Sequence, residues 1–187
     1  MKIPKAVVLE NNEALTKVAN YVEQSVSCEA VQLSEVLKFI EELSAGLELA
    51  LKRTSTGIGL ALPQLGISVR GFMLAGKLFH PSRNRFCFNP SIIERSIATE
   101  LHEEGCLSLP GKYFHVRRAT HVKVTYTDRK GKEVTEDLYG MAARAFQHEL
   151  DHINGILIND PSRDAFSQFC THYEKEQTRR TDGDIFV

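Results

Sequence analysis

The chain has 187 residues, 42% of them hydrophobic, enough for one domain with a sizeable core. Its 23 basic and 24 acidic residues nearly cancel, which excludes a broad basic face for nucleic acid or anionic lipid and directs attention to a small or peptidic substrate. The first residues carry too short an apolar run for a signal peptide and no segment approaches a membrane span, so a cytoplasmic protein is expected. Cys28, Cys87, Cys106 and Cys170 form no Cys-x-x-Cys pair, which argues against a zinc knuckle, a redox motif or a disulfide framework.

In chain order, Ala14, Leu15, Val18, Ala19 and Val22 predict a short helix with Asn11 or Asn12 as cap. Leu33, Val36, Leu37, Ile40, Leu43, Leu47, Ala50 and Leu51 recur at helical spacing and predict an amphipathic helix from Ser34 to Arg53. Between Gly57 and Gly66 the glycines and Pro63 predict a loop or extended strip, which a ligand's backbone can approach closely. Strands are predicted at Ile67–Leu74, Arg85–Phe88, Ile92–Leu101, His121–Tyr126 and Glu133–Leu138, the last two joined in a hairpin by Asp128-Arg129-Lys130-Gly131. Helical periodicity returns from Met141 to Ile153 and stops at Gly155. The polar segment from Asp160 onward predicts partial helix and a loose end.

The chemistry concentrates in Gln147-His148-Glu149-Leu150-Asp151-His152. Residues four apart share one helix face, so His148 and His152 can aim at one ion with Glu149 beside it for proton transfer. A helix supplies two ligands and an open catalytic site needs a third. A histidine three residues past Gly155, as in metzincins, is ruled out because that position is Ile158. Glu174 or Glu176 offers a downstream carboxylate. Cys106, in Glu104-Gly105-Cys106-Leu107-Ser108, offers a soft thiolate suited with two imidazoles to zinc or ferrous iron. Glu104 with Arg117 and Arg118 is expected to form an ion pair bracing that segment, and Cys28, Cys87 and Cys170 to be small buried hydrophobes.

Three motifs in order, Gly57-Ile58-Gly59-Leu60-Ala61-Leu62-Pro63-Gln64, Glu104-Gly105-Cys106-Leu107-Ser108 and His148-Glu149-Leu150-Asp151-His152, make the chain resemble the peptide deformylases over roughly residues 10 to 160. Leu62 stands where that family usually has alanine, and the segment from Leu9 to Leu15 lacks the family's proline-aspartate signature. The resemblance implies an α+β fold of antiparallel sheets around a central helix carrying the HExxH motif, with the Leu33 to Arg53 helix packed outside. It implies one catalytic domain over residues 1–187, with a core at about 10–160 and a polar tail at 161–187.

It further implies a metal-dependent hydrolase that removes the formyl group from formyl-methionine and releases formate. By the resemblance, Cys106, His148 and His152 hold one divalent ion, ferrous iron in the cell, with zinc, nickel or cobalt able to replace it. Glu149 serves as general base and then acid, and the Gln64 side-chain amide and Leu107 backbone amide stabilise the developing negative oxygen. Main-chain groups of Ile58, Gly59 and Gly105 contact the peptide. Ile58, Met141, Ala145 and the aliphatic stem of Arg144 line the methionine pocket, whose inner end the His148 ring closes. The implied partners are formyl-methionyl peptides of nascent chains, with association at the ribosome as a further contact; nucleic-acid binding and membrane attachment are not expected, and a monomer is. A zinc endoprotease using Glu174 or Glu176, and a non-enzymatic binder of formylated peptide, are the competing readings.

Overall fold

The computed structural model describes residues 13–22, 33–54, 56–79, 83–160 and 172–174. The first helix, α1, spans Leu33–Leu51 and buries Ile40, Leu43, Leu47, Ala50 and Leu51, the stripe its spacing predicts. The strands β1 (Gly59–Ala61), β2 (Gly71–Leu74), β3 (Arg85–Arg95), β6 (His121–Thr127) and β7 (Glu133–Tyr139) form a five-stranded sheet in the order β1-β2-β3-β6-β7, antiparallel at every pairing. A three-stranded antiparallel sheet orders β4 (Thr99–Cys106), β5 (Leu109–Ala119) and β8 (His172–Glu174). The second helix, α2, spans Gly140–Ile153 and packs on β1, β2, β6 and β7 of the larger sheet and on β5 of the smaller.

Strands β1 and β2 are buried on both faces, which is why they read as short apolar runs rather than alternating ones. Successive side chains point oppositely, so Phe72 and Leu74 join Phe146 of α2 while Met73 joins Leu43 and Leu47 of α1. Phe72 meets Phe146 edge to face at 5.0 Å between centroids, fixing α2 against the sheet. The end of α2 is equally defined: Gly155 is left-handed at φ 75°, its N–H reaches His152 O, and Ile156 N–H reaches Asp151 O, the two bonds of a Schellman cap.

Local pattern and structure part at four places. The predicted helix around Val18 is only a 3-10 turn at Glu13–Leu15, because its backbone is bonded elsewhere: Ala19 N–H to Ile153 O at 2.9 Å and Asn20 N–H to Ser68 O at 3.2 Å. The proposed caps Asn11 and Asn12, like Cys28, Cys170 and Glu176, lie outside the described residues. The strand predicted at Arg85–Phe88 and the first part of that predicted at Ile92–Leu101 are one strand, β3, with irregular register at Asn89-Pro90, while the rest of the latter, from Thr99, belongs to β4 of the other sheet; Asn89 takes φ 48° and its Oδ1 accepts Val22 N–H. Strand β5 was not expected, since Pro110 and Gly111 sit at its start, and its partner β8 lies where partial helix was predicted.

The expected arrangement of sheets around a central helix that itself carries the metal motif is corrected. The α+β class and antiparallel sheets stand, but the metal-ligating cluster is the triad Cys106, His148 and His152, not a consecutive motif on a central helix. The reason is geometric: one helix face presents two ligands, so the third has to come from another element, here the end of β4.

Candidate metal centre

Strand β4 turns into β5 through Leu107 and Ser108, with Cys106 paired to Leu109 and a register break between Gly105 and Cys106. This break sends the Cys106 side chain to α2. Its Sγ lies 3.3 Å from His152 Nε2, and one donor atom from each of Cys106, His148 and His152 falls within 4.8 Å of the others. All three side chains are buried.

Glu104 is the charged hub behind the triad. Arg118 grips it with a two-pronged fork, Nε to Oε1 and Nη2 to Oε2, both at 2.8 Å, and Arg144 Nη1 adds a bond to Oε1 at 2.6 Å. The other carboxylate oxygen lies 3.0 Å from His148 Nδ1, so Nε2 is the nitrogen that His148 presents to an ion. Arg118 continues to Asp151 at 2.7 Å, tying β5 to the same helix. Burial pushes the Glu104 carboxyl up, but the charge and hydrogen bonds of Arg118 and the contact with His148 outweigh it and hold it well below the usual carboxylate range. Of the ion pair expected from sequence, Arg118 takes part, whereas Arg117 faces outward toward Thr99.

Glu149 is the opposite case. It is fully buried, and neither carboxylate oxygen has a hydrogen-bond partner among the described residues. Burial raises its carboxyl well above the usual range; Arg118 opposes the shift and Glu104 and Asp151 add to it. Burial also pushes the Cys106 thiol up to about 12, against backbone N–H groups of Ser108 and Leu109 that favour the thiolate. A soft thiol with two imidazoles and an unsatisfied carboxylate alongside is a donor set that fits one divalent transition-metal ion, whose charge would ionise the thiol.

Gly59 owes its identity to this carboxylate. A Cβ built there would overlap Glu149, lying 2.9 Å from Cδ and nearer still to Oε1. We expect Gly59→Ala to displace the carboxylate and lower kcat by roughly 100-fold at unchanged metal content, checked by steady-state kinetics beside metal analysis.

Gln64 is fully buried on a 3-10 turn, Leu62–Leu65, where its Oε1 accepts Ala61 N–H at 2.8 Å. Ile58, Gly59, Gly105 and Ala145 are buried, Leu107 is half-buried in the turn, and Met141 is 40% exposed at the start of α2. Arg144 sends its guanidinium to Glu104, Val116 O and Glu100 O. The bond between Glu104 and His148 was missed from sequence. The available signal was spacing: Arg144 and His148 are four apart on α2, as His148 and His152 are, so one stripe of the helix faces β4.

Fold and centre together define a metallohydrolase of α+β class with a Cys-His-His site. The sequence matches the family described as Polypeptide deformylase over residues 4–166. It is 42% identical over 130 residues to the peptide deformylase of Thermotoga maritima, covering 67% of this chain and 75% of that one. Among solved structures, the class I type b peptide deformylase of Acinetobacter baumannii with bound Met-Ala-Ser matches with a TM-score of 0.68 and 32% identity, covering 84% of this chain and 97% of the other. A Synechococcus elongatus peptide deformylase in complex with actinonin matches with a TM-score of 0.71 and 29% identity, over 89% of this chain and 82% of that one. The chain belongs to the peptide deformylase family, metal-dependent hydrolases that take the N-formyl group from chains begun with formyl-methionine. Among the described residues, no helix is long and apolar enough to cross a membrane.

Proposed function

We propose that this chain carries out its family's reaction, formyl-methionyl peptide plus water giving formate and a free amino terminus, with Cys106, His148 and His152 holding ferrous iron. The observation that carries the reading is the buried thiol 3.3 Å from the His152 imidazole, with the buried Glu149 carboxylate nearby and without a hydrogen-bond partner among the described residues. Cys106, His148 and His152 would hold the ion, which would supply Lewis acidity and lower the pKa of a water bound to it to roughly 7.

Glu149 accepts a proton from the attacking water as the water oxygen bonds to the formyl carbon, and returns the proton to the nitrogen as the carbon–nitrogen bond breaks. A carboxyl held in an apolar, hydrogen-bond-poor setting is suited to both halves of that exchange. The Gln64 amide and the Leu107 backbone N–H donate to the oxygen that gains charge, each donor being worth about 100-fold to 1,000-fold. Main-chain groups of Ile58, Gly59 and Gly105 pair with the extended peptide, and Ile58, Met141, Ala145 and the Arg144 stem receive the methionine side chain. The Met-Ala-Ser peptide on the A. baumannii relative has the form of a product of this reaction. We place the reaction in the cytoplasm, where chains begun with formyl-methionine emerge.

The test is formate release from a formyl-Met tripeptide, measured without oxygen on protein loaded with ferrous iron. Absence of turnover with iron, nickel and cobalt alike overturns the reading. Cys106→Ser is expected to lower metal affinity and abolish turnover; retention of both points instead to the endoprotease alternative. Thiol ionisation also sets the pH dependence of loading. Metal must expel the proton from a thiol whose pKa is raised to about 12, so cobalt affinity of the metal-free chain falls about tenfold for each unit of pH lowered from 9 to 7, as read by competition with a chelator.

A further inference from the structure

Ser108 is fully buried and takes no part in the scheme above. Gln64 Nε2 donates to Ser108 Oγ at 3.3 Å and lies 3.8 Å from Cys106 Sγ, while Gln64 Oε1 is held by Ala61 N–H. The contact at Oε1 selects which end of the carboxamide is oxygen but leaves its plane able to turn about that contact. Two contacts at Nε2 oppose the turn: the shorter commits one N–H to Ser108 Oγ, and the other N–H is directed at Cys106 Sγ of the triad.

The two proposed donors come from separate elements, Gln64 from the 3-10 turn after β1 and Leu107 from the turn between β4 and β5. Ser108 is the chain neighbour of Leu107, so its bond to Gln64 is a direct tie between those elements. Donors stabilise a developing oxyanion only when they lie about 2.7–3.1 Å from its position, and a misplacement of about 1 Å costs roughly 100-fold. We infer that Ser108 is a positioning residue for deformylation: its hydroxyl holds the Gln64 carboxamide at the spacing from the Leu107 N–H that one substrate oxygen requires. This rests on the reading of Gln64 and Leu107 as the oxyanion donors.

The experiment compares Ser108→Ala, Gln64→Ala and the double variant, each loaded with cobalt and assayed on formyl-Met-Ala-Ser. Ser108→Ala is expected to lower kcat by roughly tenfold or more, with KM and the cobalt absorption spectrum unchanged. In the Gln64→Ala background the same substitution is expected to change kcat by less than about twofold, because nothing remains to be positioned. In the metal-free protein the Gln64 side-chain N–H that donates to Ser108 Oγ is expected to move upfield in the NMR spectrum of Ser108→Ala, as that hydrogen bond is lost. Full kcat in Ser108→Ala beside a large loss in Gln64→Ala overturns this inference and leaves the oxyanion reading intact. So does an equal loss with and without Gln64, or an altered cobalt spectrum, either of which assigns Ser108 a structural role in the metal turn. Full kcat in Gln64→Ala overturns both.

Discussion

Glu149→Gln is expected to lower kcat by about 1,000-fold or more while metal content stays at one ion per chain, because it removes the only proposed proton carrier and leaves Cys106, His148 and His152 in place. The same substitution is expected to raise the melting temperature of the metal-free protein. Native Glu149 is buried without hydrogen-bond partners among the described residues, and its carboxyl is held well above the usual range by that burial. A folded-state pKa above the unfolded value of roughly 4.3 means the folded chain binds the extra proton, so its stability falls as pH rises from that value through the folded pKa. The advantage of Glu149→Gln therefore opens above about pH 4 and is complete above the folded pKa, at about 2–4 °C for each kcal/mol. Thermal melts of both chelated proteins at several pH values measure the difference directly. A variant that keeps more than about a tenth of native kcat removes Glu149 from the proton path.

Glu104→Gln carries the largest expected stability cost. The carboxylate is enclosed by Arg118, Arg144 and His148, so its loss leaves the buried Arg144 guanidinium without its counter-charge and Arg118 with Asp151 alone. Breaking such a network from one side costs about 3–5 kcal/mol, or roughly 10 °C in melting temperature for a chain of this size. Metal affinity is expected to fall by about 10-fold to 100-fold as His148 loses its orienting partner. Here the sign runs the other way: a folded pKa below the unfolded value keeps the contribution intact at every pH above about 4, and it is lost only as pH falls through the depressed folded pKa. Melting temperatures of native and variant protein should stay evenly separated from pH 9 to pH 5 and converge in strong acid. Equal melting temperatures at neutral pH show that the hub contributes nothing net.

Legibility of the structure followed the range of the interactions involved. Helix α1, the β6–β7 hairpin and the Gly155 cap are set by neighbours within a few residues, and a period of 3.6 or 2 with one turn signal was enough to place them. The turn between β6 and β7 shows the mechanism: Asp128 Oδ1 accepts the N–H groups of Lys130 and Lys132, and Gly131 supplies φ 76°. The segment around Val18 failed because Asn20 and Ala19 are claimed by partners far along the chain, and β5 failed because Pro110 and Gly111 imitate a strand end.

At the metal centre the residue types were visible, since few other roles require Cys106, His148, Glu149 and His152 in that pattern, and the family could be recognised from them. Their surroundings were not. Which strand presents the thiol, that Glu104 rather than solvent holds His148, that Arg144 spends its charge on Glu104, and that Gly59 is small to make room for Glu149 all depend on atoms brought together across 40 or more positions of chain. The sequence by itself determined which donor groups the centre offers, because these are carried by side-chain identity and by spacing along one helix. Only the tertiary structure decided their charge states and aim, because desolvation, ion pairing and contact distance belong to the packed interior rather than to any stretch of chain.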